Sequence, residues 1–276
     1  MLPLLLALSS PAVAADRVSP DASVQGAITF VRVGMNADLR GGVKLDLWSK
    51  EGSTLFSDTY LKVHAAAIAS PAYVRAGGRV SFEPIALLNV SAFAFYNAYF
   101  GNFQTVIGFD DPAFNYGTND DLEAYEDNQG TGGGLSWGVS PTLKARGGPI
   151  IVLLNAEYSQ WYVTAPDVTG DYWFEREYEL MIGMNKDAIL TSNNLLLFEW
   201  DWNPEDRMFL RVGSITRYRR ALGDTEDALL RTGLIAQFST KDGHLVHTLL
   251  ASAYLKDRAY TKPFPPFLAY TIKWTL

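Results

Sequence analysis

The stretch Phe267-Leu-Ala-Tyr-Thr-Ile-Lys-Trp-Thr-Leu276 decides how the rest of the chain is read. Leu268, Tyr270, Ile272, Trp274 and Leu276 alternate with Ala269, Thr271, Lys273 and Thr275. Side chains on a strand point to opposite faces in turn, so this period of two describes a strand with one apolar, aromatic face and one small or polar face. A half-buried strand at the edge of a soluble sheet has that pattern. So does a strand standing between lipid and a watery interior.

Working outward, the same pattern recurs. Alternating segments separated by turn signals are expected at 26–36, 42–48, 55–68, 73–83, 87–100, 134–146, 150–163, 194–202, 207–219, 229–239, 245–257 and 267–276. Turn chemistry lies between them: Asp38-Leu39-Arg40-Gly41, Lys50-Glu51-Gly52-Ser53, Ser70-Pro71, Gly147-Gly148-Pro149, Asn203-Pro204-Glu205-Asp206 and Lys241-Asp242-Gly243. The expectation is an all-β chain of twelve strands. Ten or fourteen are the alternatives, because the long connections contain strand-like runs such as the one at 172–180.

The sides of each segment differ in kind. In 73–83, Val74, Ala76, Val80 and Phe82 oppose Arg75, Arg79, Ser81 and Glu83. In 207–219, Leu210, Val212 and Tyr218 oppose Arg211, Arg217 and Arg219. A charge facing mid-bilayer lipid would cost about 2–4 kcal/mol, so in a membrane the polar face must be the lumen. No segment after the N-terminus reaches the ~18–20 continuous apolar residues of a spanning helix. Only helices and closed barrels satisfy every backbone group in lipid. A membrane position therefore requires a closed barrel.

The terminal strand, with an apolar last residue and an aromatic two before it, resembles the closing strand of bacterial outer-membrane β-barrels. The resemblance implies a transmembrane antiparallel up-and-down barrel in the outer membrane of a Gram-negative envelope. It also implies an even strand number, both termini on the periplasmic side, short periplasmic turns, and a closing strand read by the barrel assembly machinery. The spacing of the connections agrees: those at 101–131, 164–192, 220–228 and 258–265 are the long ones and fall at one end. On this reading Tyr270, Trp274 and Leu276 face the membrane, and a charge at Trp274 or Leu276 should impair assembly.

The N-terminus reads as a signal peptide at 1–15, with an apolar core through Leu8 and small residues Ala12-Val13-Ala14 at a cleavage site. Residues 16–25 follow as a short periplasmic leader, and 26–276 as one barrel domain.

Composition excludes several alternatives. Cysteine is absent from the 276 residues, which removes disulfides and thiolate metal sites. A formal charge of −7 argues against nucleic acid. The 14 Tyr and 7 Trp supply rings with a polar edge, suited to a membrane boundary or a carbohydrate site.

Three constellations carry the functional reading. First, the expected polar face collects Lys44, Asp46, Lys62, Arg75, Arg79, Glu83, Lys144, Arg146, Glu157, Glu199, Asp201, Arg211, Arg217, Arg219, Arg231 and Lys273, eleven basic and five acidic. Inward cations raise the local concentration of anions. Arg75, Arg79, Lys144, Glu157, Glu199, Arg211, Arg217 and Arg231 are the residues expected to contact solute. The alternative is that these charges pair across strands and fill the interior. In architecture and charge the pattern resembles small monomeric outer-membrane channels for acidic sugars, which are twelve-stranded with arginine-lined pores.

Second, seven carboxylates crowd the loop from Asp110 to Asp127; Asp110, Asp111, Asp120 and Asp121 are candidate Ca²⁺ ligands, though a solvated acidic loop gives the same pattern. Third, Asp171-Tyr-Trp-Phe-Glu-Arg-Glu-Tyr-Glu179 reads as rings at the outer membrane boundary, or as a ligand platform at a pore mouth.

No cofactor is implied. Catalysis lacks a motif: the residues two beyond His64, His244 and His247 are Ala66, Val246 and Leu249, not the serine of lipid-hydrolysing barrels. The expected function is a narrow passive channel, not an enzyme, for small hydrophilic and preferably anionic solutes. The alternatives are an occluded barrel whose outer loops bind a partner and a lipid-acting barrel enzyme.

Overall fold

A computed structural model describes residues 17–30, 34–48, 59–116, 122–203, 205, 208–240, 244–258 and 266–275. The expected signal peptide, the turn at Lys50–Ser53 and the terminal Leu276 lie outside them. In chain order the strands are β1 (Val18–Thr29), β2 (Gly34–Asp46), β3 (Tyr60–Ala69), β4 (Tyr73–Ile85), β5 (Leu88–Tyr99), β6 (Gly108–Phe109), β7 (Gly132–Gly147), β8 (Ile150–Thr164), β9 (Tyr172–Glu175), β10 (Leu180–Gly183), β11 (Asp187–Asn203), β12 (Met208–Ala221), β13 (Ala228–Ser239), β14 (Leu245–Lys256) and β15 (Phe267–Thr275).

Twelve of these close into a barrel in the order β1-β15-β14-β13-β12-β11-β8-β7-β5-β4-β3-β2. All neighbours are antiparallel, and β15 closes the ring between β14 and β1, with Trp274 opposite Leu245 on one side and Val24 on the other. The start of β1 and the end of β15 therefore share one end of the barrel. The tight connections 86–87 and 148–149 lie at that end, and the long connections 100–131 and 165–186 at the opposite one. Closure pairs every edge, which lets strands of this length stand in lipid.

The outer wall carries the apolar face. Leu39, Val43, Val63, Val80, Leu143, Leu154, Leu196, Leu234 and Leu249 are exposed, and each is flanked along its strand by inward residues. Aromatic rings gather outside near the end that carries the termini: Trp48 meets Phe82 edge-on at 6.5 Å, Phe198 lies 4.3 Å from Trp200, and Phe238 stacks on His247 at 4.6 Å. An even-stranded closed barrel with an apolar exterior, an aromatic rim and loops sorted by length is a transmembrane β-barrel of the outer-membrane type.

The first hairpin differs from the sequence reading. Residues from Val18 to Gln25, expected as a leader, form most of β1, and Thr29 pairs with Gly34, so Asp38–Gly41 lie within β2 instead of in a turn. Gly41 and Gly42 are strand glycines. A Cβ on Gly42 would lie 1.9 Å from the carbonyl oxygen of Val63, so glycine here permits a close approach of β2 to β3, not a turn. Two further boundaries move: β3 begins at Tyr60 instead of 55, and β11 at Asp187 instead of 194.

The long loops do not stand free. They form a three-stranded sheet in the order β10-β9-β6. One face packs Trp173, Leu180 and Ile182 onto Tyr73, Tyr99, Trp161, Ile189 and Ala221 of the wall, and the other gathers Ile107, Phe109, Tyr116, Leu122, Phe174 and Met181. The expectation that the rings at 171–179 mark the membrane boundary is thus overturned. Trp173 and Phe174 lie in runs without alternation, the mark of a strand buried on both faces.

A charged hairpin inside the barrel as candidate functional site

The four-residue turn Arg176-Glu177-Tyr178-Glu179 joins β9 to β10. Latches hold the sheet that carries it. The Asn128 side chain donates to the carbonyls of Gly108 (2.9 Å) and Thr169 (2.8 Å) and accepts from the Thr169 N–H (2.9 Å). The Asp187 carboxylate accepts from the N–H groups of Gly183 (2.7 Å), Ala188 (2.6 Å) and Gly223 (2.9 Å). Asp227 accepts from the Met181 N–H at 2.8 Å. Carboxylates holding two or three backbone donors fix a loop in one place.

So anchored, the turn inserts its acids among arginines of the wall. Arg75 of β4 donates to Glu175 at 2.8 Å and also pairs with Glu177. The Tyr73 hydroxyl donates to Glu177 at 2.8 Å. Arg219 of β12 donates to the Glu177 carbonyl at 2.7 Å and stands 3.8 Å from the Glu179 carboxylate. Arg231 of β13 reaches Glu179 at 2.9 Å, and Tyr254 donates to it at 2.7 Å. Burial pushes the Glu175 carboxyl above its ordinary value, while Arg75 and the Tyr178 N–H oppose that shift. Burial and the nearby Glu157 carboxylate likewise raise the Tyr178 phenol, which stays a donor toward Glu157 at 3.5 Å.

The ladder places all the residues expected in the lumen on the inward side, where Arg75, Arg79, Glu157, Arg217 and Arg231 meet near the hairpin. Lys144, Glu199 and Arg211 sit lower, toward the termini. There Lys144 bonds Glu83 at 2.6 Å, Arg146 pairs with Glu199 at 2.9 Å, and Arg211 also bonds Glu199. Tyr270 and Trp274 are outward, and the Tyr270 hydroxyl lies 2.7 Å from His247 Nδ1. Asp110 and Asp111 are exposed on the rim, Asp120 and Asp121 lie outside the described residues, and no metal-ligating group of three or more forms among the described residues. No serine hydrogen-bonds His64 or His247 among the described residues.

Sequence reasoning missed several lumenal groups. Asp21, Asp38, Arg40 and His64 all face inward, Asp21 pairing with Lys62 and lying 3.6 Å from His64. Alternation in 35–45 was the available signal, obscured by the paired glycines. Also missed was an apolar inner wall, where Leu197, Ile215 and Ile235 pack with Ile151, Leu195 and Leu250. Together with the acids of the hairpin, these groups remove most of the basic excess expected from the strands alone.

No protein-family model and no curated protein matches the chain. Among solved structures it is similar to the NanC porin (8% identity, covering 91% of this chain and 97% of that one, TM-score 0.44). It is also similar to the β domain of the Bordetella autotransporter BrkA (11%, 95% and 100%, 0.47) and to OmpT, an outer membrane protein of Vibrio cholerae (9%, 94% and 97%, 0.35). These likenesses are too remote for any functional argument to rest on them.

Proposed function

We propose that this barrel is a narrow passive channel of the bacterial outer membrane for small hydrophilic solutes, with a preference for anions. The observation that carries the reading is what remains after all pairing. Of the inward charges read from the strands, the cations Arg79, Arg217 and Lys273 and the carboxylates Glu157 and Asp201 make no ion pair among the described residues, so one positive charge is left over; Arg217 is held by the Asn193 side-chain oxygen at 2.7 Å. Fixed cations in a low-dielectric wall concentrate anions and lower the barrier to their passage. The hairpin sets the size limit. The partners in this reading are the lipid bilayer around the wall, small solutes within it, and the assembly machinery that takes up β15. The reversal potential of the folded protein in a salt gradient tests it.

A second reading draws on the hairpin itself. Its acids and rings fill the upper lumen and its sheet, built from the two long loops, is latched to the loop 222–227, as in an occluded barrel whose rim binds a partner. Conductance separates the two, since an occluded barrel gives no unitary steps.

A further inference from the structure

Beneath the hairpin the lumen keeps a cavity of about 240 Å³. That is below the ~300–1,000 Å³ of pockets for drug-sized ligands, so its occupant is small. The charged side chains lining it are Arg40, Arg75, Arg79, Asp38, Glu157 and Glu177. Four of these are engaged with one another. Arg40 and Asp38 form a forked pair, Nε to Oδ1 at 3.0 Å, and Arg75 and Glu177 are ion-paired. Arg79 and Glu157 are left. Neither makes an ion pair among the described residues, and Glu157 accepts only the 3.5 Å bond from the Tyr178 hydroxyl.

The space thus presents one cation and one carboxylate that act on each other electrostatically but do not close to an ion pair, which leaves both able to take a solute between them. A purely anionic solute satisfies Arg79 but meets Glu157, and a purely cationic one does the reverse. A zwitterion satisfies both at once.

An apolar wall completes the site. Phe93 and Phe95 point inward from β5 with ring centroids 5.6 Å apart, next to Ile68. Glycines make room for them: a Cβ on Gly138 would come within 2.7 Å of the Phe93 ring, and one on Gly77 within 2.8 Å of the Phe95 ring. Both rings pack with Ala66, and Arg79 lies over Phe93 at 5.3 Å. The guanidinium and the apolar surface therefore adjoin.

We propose that this cavity binds a zwitterionic α-amino acid with an apolar side chain. Arg79 takes the carboxylate, Glu157 the ammonium, and Phe93 and Phe95 the side chain. The binding itself does not require conduction; on the channel reading above, the cavity is one subsite on the path, and the unpaired cations Arg217 and Lys273 outside it set the anion preference.

The test is calorimetric titration of the detergent-folded barrel with L-leucine. Saturable binding is expected. Isocaproate, which lacks the ammonium, and isopentylamine, which lacks the carboxylate, should each bind about tenfold more weakly or worse, because each leaves a buried charge unpaired. Glycine, which lacks the side chain, should also bind more weakly. Arg79→Gln should bind leucine and isopentylamine alike, and Glu157→Gln leucine and isocaproate alike. No saturable heat with L-leucine on the wild-type barrel, or equal affinity for leucine and isocaproate, overturns the proposal without recourse to any variant. Leucine binding in a barrel without conductance removes the channel reading and leaves the site; conductance without leucine binding does the opposite.

Discussion

Arg75 on the barrel wall and Glu175 at the end of β9 stand 2.8 Å apart with side chains only 4% and 1% exposed. The two are 100 residues apart in the chain, so the pair fastens the folded-in loop to a strand formed independently of it. Breaking a buried pair by removing one partner costs about 3–5 kcal/mol, because the other charge stays behind in low dielectric. Arg75→Met strands two carboxylates, Glu175 and Glu177. Glu175→Gln strands nothing, since Arg75 keeps Glu177. Moreover, the raised Glu175 carboxyl means that the folded state already favours its neutral form relative to the unfolded chain. Thermal unfolding followed by the heat-dependent mobility shift on gels should show Arg75→Met as the clearly weaker barrel and Glu175→Gln close to wild type. Equal losses would mean that the carboxylate charge is the stabilising element.

The inserted turn should limit pore size. Replacing Glu177 and Glu179 together by Gln releases Arg75, Arg219 and Arg231 from most of their ionic contacts with it. Unitary conductance should rise, and anion preference should rise with it, because Arg219 and Arg231 lose their counter-charge and Arg75 keeps only Glu175. Unchanged conductance would place the constriction elsewhere, at the apolar inner wall.

The two faces of β13 can be told apart directly. Leu234 is 68% exposed on the outer wall, while Gln237 points inward. Leu234→Arg should destabilise the barrel in lipid by about 2–4 kcal/mol, and Gln237→Arg by far less. Equilibrium unfolding from vesicles measures both. Similar costs at the two positions would contradict the membrane placement.

Gly138 tests the backbone. A Cβ there would meet the Tyr158 carbonyl oxygen at 2.4 Å as well as the Phe93 ring, so the β7 backbone must shift against β8 and the ring must give way too. Gly138→Ala should weaken the fold by about 1–3 kcal/mol, the usual range for overpacking a filled site. If Gly138→Ala folds as well as wild type, the close packing of Phe93 on β7 is not needed.

The barrel was legible in the sequence because lipid and lumen impose opposite demands on alternate residues. That contrast is sharp in strands such as β4, where Arg75 and Arg79 interleave with Val74, Ala76 and Val80. It was blunted in β1 and β2, where Gly41 and Gly42 mimic a turn while serving a close strand approach. The inserted hairpin was hidden for a different reason. Trp173, Phe174 and Met181 are buried on both sides by tertiary packing, so no alternation announces their strands. Which strand cations stay unpaired was also beyond sequence reasoning. It depends on where Glu175, Glu177 and Glu179 come to rest, and the chain reveals that only when folded.

The central claim is a narrow conducting lumen in which the unpaired cations Arg79, Arg217 and Lys273 outweigh the unpaired carboxylates Glu157 and Asp201. Its most direct test is the reversal potential of single channels in a planar bilayer under a KCl gradient, for wild type and for the triple change of the three cations to Gln. Small unitary steps with a reversal potential on the chloride side are predicted, moving toward the potassium side in the triple variant. Absence of unitary steps from a correctly folded barrel, or a potassium preference in the wild type, would contradict the account.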